Sequence, residues 1–239
     1  MKINQIYHTS HCGSTLMATL LANSTVVYAE PKWSGNIFLN EDLEYLKNIN
    51  NTVIKLGSGW CPFSKKLSGK KVFLYRKLKH HLYKIKTSNY IHSIISTKYE
   101  HHLNYCHPSL KELQFHSDLE KIAFMWLNII QWISETPDIL WIETNSFLSN
   151  KKETMDIVCD YFEIDRVKNF ELSNFHVKSF GLLGKETSIN ETVIPHLGEV
   201  KTLYPSYGII EDDLCELCDD IMDNVRWVET IFPELKKFL

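Results

Sequence analysis

The run HTSHCGSTLMATLL, residues 8–21, sets Thr9, Ser10, His11, Cys12, Gly13, Ser14 and Thr15 between a strand-like run, Ile3–His8, and an apolar, helix-ready segment. Strand, short Gly/Ser/Thr turn and helix is the layout in which backbone N–H groups and a helix N-terminus face an anion. The spacing nearly fits the triphosphate-loop pattern G-x-x-x-x-G-K-[ST], with His8 at the first Gly and Gly13 at the second. Ser14 stands where that pattern has Lys, which leaves the loop poorly equipped to hold β- and γ-phosphates. A plain helix N-cap accounts for one hydroxyl, not for the whole run placed straight after a strand. The loop reads as a phosphate binder that is not an ordinary triphosphatase.

Such a loop needs a frame. Five apolar runs read as strands: Ile3–His8, Thr25–Ala29, Thr52–Leu56, Lys71–Tyr75 and Asp138–Glu143. Helical patterns at Ser14–Asn23, Asn40–Ile49, Leu78–Thr97 and Leu119–Glu135 lie between most of them. Alternating strands and helices predict an α/β fold with a central parallel sheet of about five strands, flanked by helices on both faces. Met155, Val158, Cys159 and Phe162 make one apolar helix face in Lys151–Phe162. Phe175–Gly208 reads as a long loop and Asp212–Ile231 as a closing helix. No repeat or linker divides residues 1–239, so a single domain is expected.

Ligands of open parallel sheets sit beyond the C-terminal ends of the strands. That rule brings together the first-strand loop, Glu30-Pro31 after the second strand, Lys55 after the third and Arg76 after the fourth. Two cations and a carboxylate then surround the Gly/Ser turn. Pro31 holds Glu30 extended, which suits a fixed aim. Lys55 lies between apolar residues, and Lys is rarely buried without a partner. Arg76 follows VFLY and precedes a helix, a position suited to phosphate. Glu143 reads as structural, a tie for the turn after it.

Composition narrows the partners. With a formal net charge of −3, the 239-residue chain carries no basic footprint for nucleic acid. Its six Cys are scattered, and the one C-x-x-C, Cys215 and Cys218, lies in an amphipathic helical pattern without a second ligand pair. Free thiols fit a reducing compartment. No signal segment or membrane-length apolar run is present, so a soluble, cytoplasmic protein is expected. Seven of the eleven His fall in Lys79–His116, yet neither His80-His81 nor His101-His102 has ligand spacing and no acidic cluster completes a site. No metal is expected. Trp126, Trp132 and Trp227 occupy apolar helical positions and are expected in the core.

Taken in order, these segments resemble the sulfotransferase family, enzymes that move a sulfonate from 3′-phosphoadenosine 5′-phosphosulfate to an acceptor hydroxyl or amine. HTSHCGSTLMATLL resembles that family's 5′-phosphosulfate loop, VVYAEPKW its second-strand ending with Glu-Pro, and VIKL its third strand with Lys. KKVFLYRKLKHHLYKI looks like the fourth-strand motif whose Arg holds the 3′-phosphate. DILWIETNSFLSNKKETMDIVCDYFEI resembles the strand, Glu-containing turn and helix that follow. The matches cover residues 1–85 and 138–165.

The resemblance implies a three-layer, P-loop-like domain that takes 3′-phosphoadenosine 5′-phosphosulfate as co-substrate, needs no Mg²⁺ and sulfonates a small-molecule acceptor. His11, Cys12, Gly13, Ser14, Thr15 and Leu16 would bind the 5′-phosphosulfate, and Arg76 with Lys84 the 3′-phosphate. Lys55 and His11 would stabilise charge on the bridging oxygen, and Glu30 would take the acceptor proton. Three positions depart from the pattern. His11 stands where Lys or Arg is common, Gly57 where the cytosolic branch has its His, and Lys84 where Ser is usual. With that His missing, Glu30 is the base by resemblance to branches that use a carboxylate there. Two other readings use the same residues: a kinase-like phosphotransferase of the same architecture, and a nucleotide binder that kept the fold and lost the base.

Overall fold

In the computed structural model, which describes residues 3–25, 27–29, 53–170, 177–180, 186–188 and 208–239, apolar runs from five parts of the chain join one sheet. They are β1 (Asn4–His8), β2 (Val27–Ala29), β3 (Val53–Lys55), β4 (Lys71–Tyr75) and β5 (Ile139–Glu143). Two further strands, β6 (Val177–Phe180) and β7 (Glu186–Ser188), extend the sheet. The order is β5-β4-β1-β3-β2-β6-β7, so among the described residues the sheet has seven strands and not about five. β1 to β6 are parallel to their neighbours, and only β7 runs antiparallel, against β6. The expected long loop over 175–208 is therefore corrected in part. Its segment VKSF adds to the open edge of β2, in register Val27 with Val177, satisfying backbone groups that an edge strand would expose.

Alternation along the strands divides the core into two layers. Tyr7, Ile54 and Phe73 face one side, where they meet α2 (Leu78–Thr87), α5 (Asp118–Ser134) and α9 (Asp219–Ile231) through Leu82, Ile130, Val225 and others. Ile6, Val53, Val72 and Leu74 face the other, packed on α1 (Ser14–Leu21) and α7 (Lys151–Phe162). Helices thus flank both faces. Met155, Val158, Cys159 and Phe162 of α7 are buried together, the stripe their spacing predicts. Trp126 is fully buried, while Trp132 and Trp227 pack at the rim of the same layer.

Two expected helices differ. Leu78–Thr97 breaks after Thr87, because Asn89 takes a left-handed conformation (φ 55) that Asn tolerates. The chain resumes as α3 (Ile91–Ile94), a π-helical turn Ile95–Tyr99 and α4 (Glu100–Asn104). Asp212–Ile231 is likewise two helices, α8 (Asp212–Glu216) and α9, parted at Leu217 and Cys218. A Ser117–Glu120 capping box starts α5, each side chain bonding the other's backbone. The helix expected at Asn40–Ile49 lies outside the described residues. Among the described residues, no helix is long and apolar enough to cross a membrane.

Several of the clustered histidines brace this frame. His107 bonds Glu135 at 2.9 Å. Nδ1 of His102 accepts a hydrogen bond from Asn128 at 3.1 Å. His102 is buried, and burial, then the charges of His101 and Lys98, push its pKa down to about 3. An unfolded imidazole protonates near about 6.5. Between those values the unfolded chain binds more protons, so stability falls as pH drops from about 6.5 toward about 3, by about 1.4 kcal/mol per pH unit for one such group. His102→Gln is expected to lower stability at neutral pH yet flatten this acid slope, read from urea midpoints. An unchanged slope would assign the acid sensitivity to other groups.

Candidate functional site

β1 and β4 are neighbours, yet the helices that follow them leave to opposite faces, α1 to one layer and α2 to the other. That divergence opens a crevice at the carboxyl ends of the two strands, the place where such sheets take ligands. The loop after β1 and Arg76 after β4 meet there.

The loop is shaped by two left-handed residues, His11 (φ 58) and Gly13 (φ 84). A Cβ on Gly13 would meet only Phe147, at 3.8 Å, so glycine is favoured here by backbone conformation and not by crowding. Gly13 is the N-cap of α1 and has no side-chain oxygen to offer, and no acidic residue lies in the first turn. The N-terminal N–H groups of α1 thus receive no side-chain cap, and that of Ser14 bonds the Cys12 sulfur. Ser14 and Leu16 are buried and Thr15 is exposed at the rim. Behind the loop, the buried Thr144 hydroxyl bonds the carbonyls of Cys12 (2.9 Å) and Tyr75 (2.8 Å) and so locks the ends of β4 and β5 to it. Glu143 caps the short helix α6 (Thr144–Ser149) through the Ser146 N–H at 2.8 Å, a structural role.

Arg76 is 0% exposed, which places a guanidinium wholly inside the crevice. Its backbone N–H donates to Thr9 Oγ1 at 3.2 Å, its Nε donates to the His11 carbonyl at 3.3 Å, and its own carbonyl accepts from Trp126 Nε1 at 2.9 Å. Lys84 is buried one helix further on, and its pKa is lowered by burial and then by the charge of Arg76. Lys98 reaches in from the π-helical turn and donates to Ser10 Oγ at 3.1 Å. The His11 ring stacks on Tyr90 with centroids 5.0 Å apart.

The electrostatics are one-sided. Burial, then Lys98, Lys84, His8 and Arg76, push His11 down to about 4. Burial, then His11, Arg76 and Lys98, push His81 to about 3, against an opposing hydrogen bond with the Ser10 backbone. Among the described residues, the buried Nδ1 of His81 has no hydrogen-bond partner. Burial raises the Cys12 thiol, but a hydrogen bond with His8 and the charges of His8 and Arg76 leave it below its ordinary value. On both rings the neighbouring positive charges act in the same direction as burial.

The structure brings His11, Cys12, Gly13, Ser14, Thr15, Leu16, Arg76 and Lys84 to one place. Lys55 ends β3, two strands from β4, and is buried. Glu30 lies outside the described residues. The His11 imidazole has its pKa lowered to about 4, by burial and then by the cations around it. Lys98 and Tyr90 meet the loop without having been among the candidate residues, while Ser10 belongs to the first-strand loop and His81 to the histidine cluster. Lys98 had a signal, since it continues the apolar stripe Ile91, Ile94, Ile95 at helical spacing, where a charge is out of place. Among the described residues, no group of three or more His, Cys, Asp or Glu could hold a metal ion. Cys215 and Cys218 direct their thiols to the carbonyls of Glu211 and Leu214, each at 3.8 Å.

No protein-family model matches the chain, and no curated protein sequence matches it.

The His11 shift can be read directly. In NMR titration its ring is expected to protonate near 4, and saturating sulfate should raise that pKa, because a bound anion favours imidazolium. A ring that titrates at about 6.5 and ignores sulfate would contradict the cationic crevice.

Proposed function

We propose that this chain is a sulfotransferase of P-loop-like architecture that uses 3′-phosphoadenosine 5′-phosphosulfate and sulfonates a hydroxyl or amine of a small acceptor. The observation that carries the reading is the buried Arg76, together with Lys84, behind a helix N-terminus that has no side-chain cap and no Walker lysine. A donor with a single bridging 5′-phosphate and a separate 3′-phosphate matches two anion positions, one at the loop and one at Arg76 and Lys84. A triphosphate would want the lysine that Ser14 replaces.

In this reading the N–H groups at the start of α1 and the Ser14 and Thr15 hydroxyls bind the 5′-phosphosulfate. Arg76 and Lys84 hold the 3′-phosphate, and Lys55 offsets charge on the oxygen that bridges phosphorus and sulfur. The donor supplies an activated sulfonate, whose sulfur–oxygen bond breaks as the acceptor oxygen or nitrogen bonds to sulfur. Glu30 takes the acceptor proton. Losing an oriented donor from such a site costs about 100- to 1000-fold in rate.

Two measurements test the proposal. In calorimetry, adenosine 3′,5′-bisphosphate should bind far more tightly than AMP, with or without EDTA, and Mg·ATP should bind weakly. Arg76→Ala, checked for folding by circular dichroism, should erase most of that preference, and Lys84→Ala part of it. Equal affinity of the wild type for the bisphosphate and AMP, or Mg·ATP turnover, would overturn the reading in favour of a kinase. Glu30→Gln should leave nucleotide affinity nearly intact and slow transfer by at least about 100-fold. Normal turnover would remove Glu30 as the base, and a wild type that binds the bisphosphate but turns over nothing would favour the non-catalytic binder.

A further inference from the structure

We propose that Lys98, delivered by the π-helical turn Ile95–Tyr99, is the cation that contacts the 5′-phosphosulfate group, replacing from a distant part of the chain the charge that the loop itself lacks. The inference rests on the anion-site reading above and adds to it a residue outside every matched segment.

The loop is short of charge in two places. Ser14 takes the position of the Walker lysine, and His11 the position where a permanent cation is common. A neutral imidazole stacked on Tyr90 does not fill that gap. Yet the crevice is strongly positive at the loop, and the charge arrives from elsewhere. Lys98 Nζ donates to Ser10 Oγ at 3.1 Å, a contact between residues 88 apart in sequence. Its charge is the largest acting on His11 and also acts on His81, which hydrogen-bonds the Ser10 backbone. The ammonium therefore stands at the loop.

The local backbone gives a second, independent line. Residues Ile91–Ile94 and Glu100–Asn104 are α-helical, and between them the five residues Ile95–Tyr99 are wound as a π-helix. A π-turn is rare within an α-helix and occurs frequently at functional sites. None of its five residues is fully buried, so packing in the core does not explain the extra residue. What the turn does is carry a lysine of the helix's apolar stripe to the loop. The nearby His81 Nδ1, buried and without a hydrogen-bond partner among the described residues, marks the same spot as one where a polar atom is still to be accommodated.

A lysine that only braced the loop would support every ligand alike. One that touches the 5′ group acts only on ligands that carry that group. Calorimetry with adenosine 3′,5′-bisphosphate and with adenosine 3′-phosphate separates the two. We expect Lys98→Met to weaken the bisphosphate by about 10- to 100-fold, the range for one charged hydrogen bond, and to leave adenosine 3′-phosphate unchanged. Lys98→Arg should restore most of the loss, and the salt dependence of bisphosphate binding should fall in the Met variant. Unchanged bisphosphate affinity in Lys98→Met, or an equal loss for both nucleotides that Arg does not restore, would overturn the role of Lys98 while leaving the anion site standing. A wild type that binds neither nucleotide would overturn the site reading, and Lys98 with it.

Discussion

A guanidinium held wholly out of solvent at the carboxyl end of β4 is the interaction around which the rest of the molecule is arranged. Taking such a charge from water costs several kcal/mol unless geometry and hydrogen bonds compensate. Here the compensation is distributed. Thr9 and Trp126 fix the Arg76 backbone, and the His11 carbonyl accepts from its Nε. The loop can present that carbonyl because His11 and Gly13 both adopt left-handed backbone. Thr144 then ties the loop to the ends of β4 and β5. Four segments far apart in sequence, at residues 9–12, 75–76, 126 and 144, are tied together here.

The same charge sets the behaviour of its neighbours. Lys84, His11 and His81 all sit below their ordinary pKa values, with Arg76 among the causes each time. In the proposed function, an anion that binds the folded state raises its stability by mass action. Burial and the neighbouring cations both disfavour the protonated forms of the His11 and His81 rings.

Much of this was legible in the sequence. The Gly-Ser-Thr turn after β1 and Arg76 at the end of β4 followed from strand runs and the rule for ligands in parallel sheets, whereas Lys84 within α2 came from the family resemblance. What was not legible has particular causes. β6 and β7 have four and three residues, too short for alternation to show. The break after Thr87 depends on one Asn accepting a left-handed conformation, which composition permits but does not require. The π-turn is a shift of hydrogen bonding with no motif of its own, so the aim of Lys98 depends on tertiary structure. The Ser117–Glu120 capping box, by contrast, is written plainly as S-x-x-E and starts α5 at Asp118.

The central claim is that the crevice between β1 and β4 holds a nucleotide with phosphates at both its 5′ and 3′ positions. The most direct measurement is a crystal structure of the chain with adenosine 3′,5′-bisphosphate. We expect the 5′-phosphate against the N–H groups at the start of α1, with Lys98 in reach, and the 3′-phosphate against Arg76 and Lys84. A nucleotide bound elsewhere on the surface, or seated with its 3′-phosphate at the loop, would contradict the claim.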